Sequence, residues 1–376
     1  MTYKSIIFIT LLITLISCKS QLITEEVKPK AKNVILLIAD GTGLSQVSSV
    51  FYFKKTRPNY ARFKSIGLIK TSSAKEDITD SAAGATAFSS GEKTYNGAVG
   101  VSVDSTKLKT LVEIVSPQNV KTGLISTSAI QHATPASFYA HVLNRSLYED
   151  ITLDLVASDI DFLAGGGRQF FNKRKDGENL LEELKVKGFE IDTTALGDFS
   201  QIKKHSKMAY LLAEEHMNAV VKGRGNFLPK ATELGIEFLN KDAAKSGFFM
   251  MIEGSQVDWG GHANDADYLI SELIDFDDAV GKALDFAEKD GNTLVIVTAD
   301  HETGGFTLAS TPKKKEDGTT YDDYNEITGT FSTQGHSATL IPVFAYGPGS
   351  EVFFGIYENT EIFHKIFEVT NWKKQN

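Results

Sequence analysis

The sequence predicts an α/β protein with a doubly wound, mostly parallel central sheet and helices on both of its faces. Two observations favour this fold class. Short runs rich in Val, Ile, Leu and Phe are typical of strands buried on both faces of a parallel sheet, and helical patterns separate these runs along the chain. The strand candidates are Val34–Ala39, Thr122–Ser126, Phe248–Ile252, Thr293–Thr298 and Ile341–Tyr346.

The composition places the chain among ordinary globular proteins. Apolar residues make up 41% and charged residues 23% of its 376 residues, which argues against disordered and fibrous classes. The formal net charge is −9, and the sequence has no run of clustered Lys and Arg. This balance argues against a nucleic-acid-binding protein, and an anionic substrate would need a local binding site.

The N-terminus has the pattern of an export signal. Lys4 precedes an apolar run over residues 6–16, which is too short to span a membrane and is typical of the core of a signal peptide. The run ends in Leu-Ile-Ser-Cys18, which resembles the lipobox of bacterial lipoproteins. We therefore expect residues 1–18 to be a lipoprotein signal peptide and residues 19–32 a polar tether. The mature protein would lie in the periplasm or at the cell surface, anchored in the membrane by a lipid on Cys18.

Cys18 is the only cysteine of the sequence. The mature chain therefore has no disulfide, no thiolate metal ligand and no cysteine nucleophile. An ordinary cleaved signal with an incidental cysteine is the alternative interpretation of the N-terminus.

We expect residues 33–376 to form a single α/β domain. The more polar stretch at about 168–235 could be an accessory insertion. The polar, charged stretch at about 305–335 predicts a short, solvated, crown-like loop. Neither stretch marks a clear domain boundary.

Acidic and imidazole side chains stand at the ends of the predicted strands. In open α/β sheets, ligands bind at the carboxyl ends of the strands, so these side chains should meet at one edge. Carboxylate and imidazole without thiolate form a ligand set that suits Zn²⁺ or a similar divalent ion. The candidate ligands are Asp40, Glu253, Asp258, His262, Asp300, His301 and, just before the last strand, His336.

The spacing Asp258-x3-His262 can bring both side chains to one ion. Gly260 and Gly261 between them favour a turn over a continuous helix. The remaining histidines do not stand at strand ends, and we interpret four of them as surface or internally satisfied residues: His141, His205, His216 and His364.

Ser81 is the candidate nucleophile. The small residues that follow it suit a closely packed helix with Asp80 or Ser81 near its N-terminus, where free backbone N–H groups and the helix dipole stabilise an anion. A coordinated divalent cation could help to ionise the hydroxyl. The alternative is that Asp80 or Ser81 only caps the helix.

Arg145 is the candidate phosphate ligand, because its planar guanidinium can bind two phosphate oxygens at once. Taken alone, it could equally be a surface residue.

These pieces together resemble the bacterial and animal alkaline phosphatases over nearly all of residues 33–350. The fold and activity that the resemblance implies are an α/β sheet protein and metal-dependent hydrolysis of phosphate monoesters through a covalent phosphoserine, with release of inorganic phosphate outside the cytoplasm. The shared motifs, in family order, are Ile38–Gly41, Thr79–Ala83, Lys93–Gly97, His132–Ala136, Ala164–Arg168, Glu253–His262, Thr298–His301 and Gly335-His336.

The resemblance also implies roles for individual residues. Ser81 would be the phosphorylated nucleophile, and Arg145 would clamp the phosphate. Two Zn²⁺ ions and one Mg²⁺ ion are implied as cofactors. The implied ligands are Asp258, His262 and His336 for the first zinc, Asp40, Asp300 and His301 for the second, and Asp40, Thr134 and Glu253 for the magnesium.

Two positions depart from the best-known bacterial pattern. His132 stands where many bacterial members have Asp near the magnesium, which puts the identity of the third metal in question. Trp259 stands where others carry Lys or His close to the phosphate, so product release should differ. The family's inserted crown is also reduced here, which weakens the inference of a homodimer but leaves it open.

Asp277 interrupts the apolar stripe of a helix that we expect to end at Gly291. One hypothesis is that its carboxylate orients a ligating histidine. The alternative is a buried Asp satisfied by backbone groups.

Two other functions remain open from the sequence. One is a related phosphodiesterase or sulfatase, although the Ala-Ala-Gly-Ala run after Ser81 does not match the usual sulfatase pattern. The other is a non-catalytic surface lipoprotein that binds metal and phosphate.

Overall fold

The computed structural model describes residues 30–243 and 246–374. The predicted signal peptide, with Cys18, and all but the last three residues of the predicted tether lie outside the described residues. Within the described part, no helix is both long and apolar enough to cross a membrane.

Fourteen strands are present in the described part of the chain, and ten of them form the central sheet. The strands are β1 (Asn33–Ala39), β2 (Ser65–Lys70), β3 (Lys121–Ala129), β4 (Phe162–Gly166), β5 (Phe189–Asp192), β6 (Lys207–Leu211), β7 (Phe248–Gly254), β8 (Thr293–Thr298), β9 (Glu302–Thr303), β10 (Thr307–Lys314), β11 (Thr320–Thr330), β12 (His336–Ser337), β13 (Ile341–Tyr346) and β14 (Gly355–Glu358).

Twelve α-helices connect or flank these strands among the described residues. They are α1 (Leu44–Phe53), α2 (Ser81–Ser90), α3 (Leu111–Val115), α4 (Ala133–Ala136), α5 (Tyr148–Ala157), α6 (Gln169–Asn172), α7 (Leu180–Val186), α8 (Phe199–Ile202), α9 (Phe227–Asp242), α10 (Gln256–His262), α11 (Ala266–Asp290) and α12 (Glu361–Val369).

The sheet order is β14-β2-β13-β8-β1-β7-β3-β4-β6-β5. Only β13 runs against its neighbours, pairing antiparallel with β2 and with β8. The predicted α/β class with a mostly parallel sheet is therefore confirmed, and all five predicted strands are present. Because β13 runs in reverse, its start lies at the carboxyl edge of the other strands, which is where His336 enters.

Both faces of the sheet are buried, as a parallel sheet requires. Along β1, Val34, Leu36 and Ile38 belong to one hydrophobic cluster, whereas Ile35 and Leu37 belong to another. The alternation follows from the two-residue period of a strand. Helices cover the sheet on each side, and the polar strand ends stay free to build a site.

The two polar stretches have regular structure. Residues 168–235 supply β5 and β6 to one edge of the central sheet, so they continue it. The predicted crown-like loop at about 305–335 is mostly an antiparallel hairpin of β10 and β11. An ion pair of Lys313 with Asp323 spans the hairpin at 2.7 Å. The sequence pattern did not indicate it because a largely polar hairpin, exposed or only half-buried along its length, has no clear apolar alternation.

The hypothesis that Asp277 orients a ligating histidine is wrong. Its carboxylate accepts hydrogen bonds from the backbone N–H groups of Asn59 and Tyr60, each at 3.0 Å, and from the ammonium of Lys54. Asp277 is fully buried and anchors the short 3₁₀ turn Asn59–Arg62 against α11. The alternative interpretation is therefore correct: Asp277 is a buried carboxylate with a structural role, whose hydrogen-bond partners include backbone groups.

Candidate active site

The candidate site lies at the carboxyl edge of the sheet, where three neighbouring strands end. Asp40 follows β1, Glu253 is the penultimate residue of β7, and Asp300 and His301 follow β8. These four side chains are fully buried. Parallel pairing of β1 with β7 and β8 brings them together although Asp40 lies more than 200 residues from the other three in sequence.

Three groups of side chains in the described residues could each hold a metal ion, with ligand atoms within 4.8 Å of one another. Asp40 and His301 each belong to two groups, so the three groups adjoin. The groups are Asp258, His301 and His336; Asp40, Asp300 and His301; and Asp40, His132 and Glu253.

Several oxygen and nitrogen atoms in these groups and in the neighbouring Thr134 are buried and have no hydrogen-bond partner. Such atoms cost several kcal/mol each in an apolar interior, so a cluster of them indicates a site built to bind a ligand. Their carboxylate, hydroxyl and imidazole chemistry fits divalent cations. They are both carboxylate oxygens of Asp40, Oδ2 of Asp300, Oε1 of Glu253, Oγ1 of Thr134 and Nδ1 of His132.

The mutual repulsion of the buried carboxylates also favours a bound cation. Burial, together with the carboxylates of Asp300, Asp258 and Glu253, holds the pKa of Asp40 well above its usual range. Burial also raises the pKa of Glu253, although hydrogen bonds from Ser126 and Ser255 oppose that shift. A bound cation would relieve this repulsion and let the carboxylates ionise.

Asp258 and His262 lie one turn apart on α10, with Asp258 Oδ1 at 3.3 Å from His262 Nε2. The hydrogen bond with Asp258 raises the pKa of His262 to about 9. Burial acts to raise the pKa of Asp258, but His262 and His301 lower it overall. His336 Nε2 is 3.2 Å from His262 Nε2, so both rings could bind one cation together with Asp258.

The predicted turn at Gly260 and Gly261 is wrong, because both glycines lie inside α10. A Cβ on Gly260 would lie 2.7 Å from the backbone of Leu269, and one on Gly261 would lie 2.9 Å from the carbonyl oxygen of Thr303. The glycines therefore permit close packing of α10 and do not break it.

Outer partners fix the ring orientation of the histidines. Thr303 Oγ1 donates to Asp258 Oδ1 at 2.5 Å and lies 3.2 Å from His301 Nδ1, from which it can accept. His336 Nδ1 donates to the carbonyl oxygen of Thr79 at 2.8 Å. Both rings then present an unprotonated Nε2 to the clusters, which is the form that binds a metal.

Thr303→Val should lower metal affinity by about 10- to 100-fold, because the hydroxyl positions Asp258 and His301 without touching the ion itself. Competition with a chelator measures the affinity. Thr303→Ser, which keeps the hydroxyl, is the control and should bind like the wild type. Equal affinities for the Val and Ser variants would contradict this role.

Ser81 is the first residue of α2, and Asp80 is its N-cap, accepting from the backbone N–H of Ala83. Ser81 Oγ lies 3.3 Å from His301 Nε2 and is nearly fully buried. Asp80 therefore caps the helix. Ser81 lies beside His301, which belongs to two of the clusters. The hydroxyl thus faces both the helix N-terminus and the candidate cation sites.

Arg145 contacts Asp80, the residue before Ser81, and is not a free surface residue. Its Nη1 donates to Asp80 Oδ2 at 2.9 Å, and its Nη2 donates to His132 Nε2 at 3.3 Å. Burial and the Arg145 charge hold the pKa of His132 well below its usual range, so the ring is a neutral acceptor. Asn96 accepts from the backbone N–H of Asp80, so the Lys93–Gly97 motif supports the same corner.

The alkaline phosphatase family model matches residues 31–323 of this chain. The chain belongs to the alkaline phosphatase family. Alkaline phosphatase 3 of Bacillus subtilis (strain 168) is 35% identical, with 91% of this chain and 89% of that protein covered. The alkaline phosphatase of Escherichia coli (strain K12) is 30% identical, with 89% and 85% covered.

Solved structures agree. The alkaline phosphatase from the Antarctic bacterium TAB5 has a TM-score of 0.89 and 62% identity, covering 92% of this chain and all of that one. A His-to-Asp mutant of the TAB5 enzyme, described with Mg bound in its M3 site, has a TM-score of 0.90 and 65% identity over the same shares. This alkaline phosphatase is therefore a phosphomonoesterase, a hydrolase whose side-chain clusters suit divalent metals.

His216, interpreted as a surface or internally satisfied histidine, does have a satisfied ring nitrogen, because the backbone N–H of Ala129 donates to its Nδ1. The sequence did not indicate that it lies near this alkaline phosphatase site, where it packs against Trp259 with ring centroids 4.9 Å apart and against His132 at 5.8 Å. No spacing or motif in the sequence marked it, because its loop reaches the site only through the fold. His205 and His364 are partly exposed, and His141 pairs with Glu113, away from the clusters.

Proposed function

We propose that this chain hydrolyses phosphate monoesters through a phosphate ester on Ser81, outside the cytoplasm, with two Zn²⁺ ions and one Mg²⁺ ion as cofactors. One observation carries the proposal. A buried serine hydroxyl at a helix N-terminus lies 3.3 Å from Nε2 of His301, a residue that belongs to two of the groups that could hold a metal ion. Such a hydroxyl is placed to act as a nucleophile.

The proposed zinc ligands fall into two sets that meet at His301. Asp258, His262 and His336 would hold one zinc, and Asp40, Asp300 and His301 would hold the other. When bound, such cations lower the pKa of a coordinated hydroxyl or water and offset negative charge on the phosphoryl oxygens. The described contacts support both sets, although His301 also lies within 4.8 Å of the Asp258 and His336 ligand atoms.

Asp40, Thr134 and Glu253 would hold the third ion. Their oxygen atoms suit Mg²⁺, whereas the neighbouring nitrogen of His132 suits Zn²⁺ better. We assign Mg²⁺ to this site because all three proposed ligands would bind it through oxygen. Metal analysis of the purified protein checks the assignment, and three Zn²⁺ ions with no Mg²⁺ would contradict it.

The chain's own residues would divide the reaction as follows. Ser81 Oγ gives up its proton to solvent and attacks phosphorus, forming the Oγ–P bond while the bond from phosphorus to the ester oxygen breaks. The released alkoxide takes a proton from solvent and leaves as the alcohol. Water then attacks the same phosphorus, the Oγ–P bond breaks, and one proton of that water passes to Ser81 Oγ as phosphate leaves.

Arg145 would hold two phosphate oxygens throughout. Asp80 and His132 occupy one nitrogen each of its guanidinium, which fixes the plane of the fork before substrate arrives. Asp80 already accepts from the backbone N–H of Ala83, so the N–H groups of Ser81 and Ala82 are the ones at the N-terminus of α2 that would stabilise developing negative charge. The contacts proposed here all bind the phosphate and not the alcohol part of the substrate, so we expect a broad range of monoesters to be hydrolysed.

Hydrolysis assays with metal analysis test the function. The purified protein should contain zinc and hydrolyse an aryl phosphate monoester much faster than an aryl diester or an aryl sulfate. A chelator should abolish the activity, and added Zn²⁺ and Mg²⁺ should restore it. Preference for the diester or sulfate, or full activity after chelation, would contradict the proposal. Metal and phosphate binding without hydrolysis would favour a non-catalytic lipoprotein.

The export and anchoring proposal rests on the N-terminal sequence, with its apolar run and Leu-Ile-Ser-Cys18. Cys18→Ala should move the activity of expressing cells from the membrane fraction to another fraction, because the lipid attaches through the thiol. Activity that is equally soluble in both the wild type and the variant would show that Cys18 carries no anchor.

A further inference from the structure

The loop of residues 212–226, between β6 and α9, is fixed at its far end by a buried ion cluster. Arg224 donates to Glu272 Oε2 at 2.5 Å and to Asp275 Oδ2 at 2.8 Å, and its side chain is only 1% exposed. The backbone N–H of Val220 also donates to Glu272. Both acids lie on α11, so this part of the loop cannot move independently of the core.

The near end of the loop is fixed by the glycine-rich motif Ala164–Arg168, for which the proposed reaction gives no role. Leu212 N donates to the carbonyl oxygen of Gly165 at 2.9 Å, and Arg168 N donates to that of Ala213 at 3.1 Å. A Cβ on Gly166 would lie 2.2 Å from the carbonyl oxygen of Glu215, so only glycine permits this approach. The motif thus seats the loop against the sheet edge.

Between these two anchors the loop presents His216 to the site. The backbone N–H of Ala129 donates a hydrogen bond to His216 Nδ1 at 3.0 Å. Gln256 Nε2 donates to the carbonyl oxygen of the next residue, Met217, at 2.8 Å. The His216 ring meets Trp259 at 71° and His132 at 89°, and Trp259 meets His132 at 80° with centroids 5.9 Å apart. The three rings pack edge to face, a favourable geometry.

We propose that His216 is a positioning residue for phosphate binding, acting through His132 on Arg145. With the His216 and Trp259 rings against it, the His132 ring is held where its Nε2 accepts from Arg145 Nη2. The guanidinium is then fixed at both ends, by Asp80 and by His132. This inference rests on the proposed phosphate-clamping role of Arg145.

Loss of the His216 ring would let His132 turn and would free one end of the guanidinium fork. Asp80 would still hold the other end, so Arg145 would stay in the site but lose part of its preorganisation. We expect phosphate to bind about 3- to 10-fold more weakly, the range that one edge-to-face ring contact is worth. The effect should appear in KM and in the inhibition constant of inorganic phosphate more than in kcat.

Two variants separate the ring contact from the loop anchor. His216→Asn keeps a polar group that can accept from the Ala129 N–H but removes the ring, whereas His216→Phe keeps a ring and removes the acceptor. His205→Asn, on the surface loop before β6, is the matched control. All are compared as metal-loaded enzymes with inorganic phosphate as the probe.

A spectroscopic signal adds a readout that does not depend on turnover. The sequence has two tryptophans, so a Trp372→Phe background leaves Trp259 as the single emitter. His216→Asn should increase quenching of Trp259 by acrylamide and weaken phosphate binding, and His216→Phe should restore both. Wild-type values in His216→Asn, or equal defects in the Asn and Phe variants, would overturn the proposal. If the wild-type protein had no hydrolase activity, the proposed function would be refuted. The Trp259 quenching would still test the ring contacts of His216, so the two failures can be told apart.

Discussion

Ser81→Ala should abolish phosphomonoester hydrolysis, with a loss of about 10³-fold or more in kcat. Removal of a catalytic nucleophile costs this much because no neighbouring group can form the covalent ester in its place. The fold should be unaffected, since the only hydrogen-bond contact described for the hydroxyl is with His301. Alanine also suits the first turn of α2, which Asp80 still caps.

Steady-state assays and thermal unfolding together measure this effect. Ser48→Ala is the control, because Ser48 is another helical serine whose hydroxyl bonds only to a carbonyl of its own helix. We expect wild-type activity in the Ser48 variant and equal melting temperatures in all three proteins. A Ser81→Ala protein that retains most of its activity would show that water attacks the phosphate directly and that Ser81 forms no covalent ester.

Asp40→Asn should have opposite effects on activity and on the stability of the metal-free protein. Asp40 belongs to two of the three clusters. Removal of a residue that only orients a metal ligand can lower activity by about 100-fold, so we expect a larger loss of activity when Asp40 itself is replaced. In the metal-free protein, however, Asp40 is a fully buried carboxylate without a hydrogen-bond partner. Its replacement by a neutral amide should therefore stabilise that form.

The sign of the pH dependence follows from the raised pKa of Asp40. Burial and neighbouring carboxylates favour its protonated form in the folded state, so the folded protein binds this proton more tightly than the unfolded chain does. The stability of the metal-free wild type should fall as pH rises above the ordinary Asp range and towards the folded pKa. The advantage of Asp40→Asn should grow over the same interval and vanish in acid.

Urea unfolding after chelation, repeated at several pH values, measures this advantage. With metals restored, the order should reverse, because ions that bind only the folded state stabilise the wild type more than the variant. An Asp40→Asn protein that is less stable than the wild type at every pH without metal would contradict the repulsion that we infer.

The fold class and most of the site could be predicted from the sequence because both depend on local patterns. Runs of β-branched and aromatic residues mark buried strands, and polar residues at their ends must lie at one edge of the sheet. Asp40, Asp258 and Asp300 therefore converge in the structure as the strand pattern predicts. The roles proposed for these residues came from the family resemblance.

The sequence predictions are wrong or incomplete where tertiary contacts override the local preference of a residue. Gly260 and Gly261 suggest a turn, but both lie inside α10. Glycine is needed at these two positions because a larger side chain would collide with Leu269 or Thr303. Asp277 resembles a functional carboxylate until its backbone donors, on a distant turn, are seen. His216 carries no signal at all, because its position depends on anchors spread from the Ala164–Arg168 motif to α11.

Anomalous diffraction from crystals of the purified enzyme, collected at the zinc edge, would locate the bound metal ions. We expect zinc peaks between Asp258, His262 and His336 and between Asp40, Asp300 and His301, with Ser81 Oγ beside them. Crystals of active enzyme with no metal peak at either place would contradict the proposed two-zinc site.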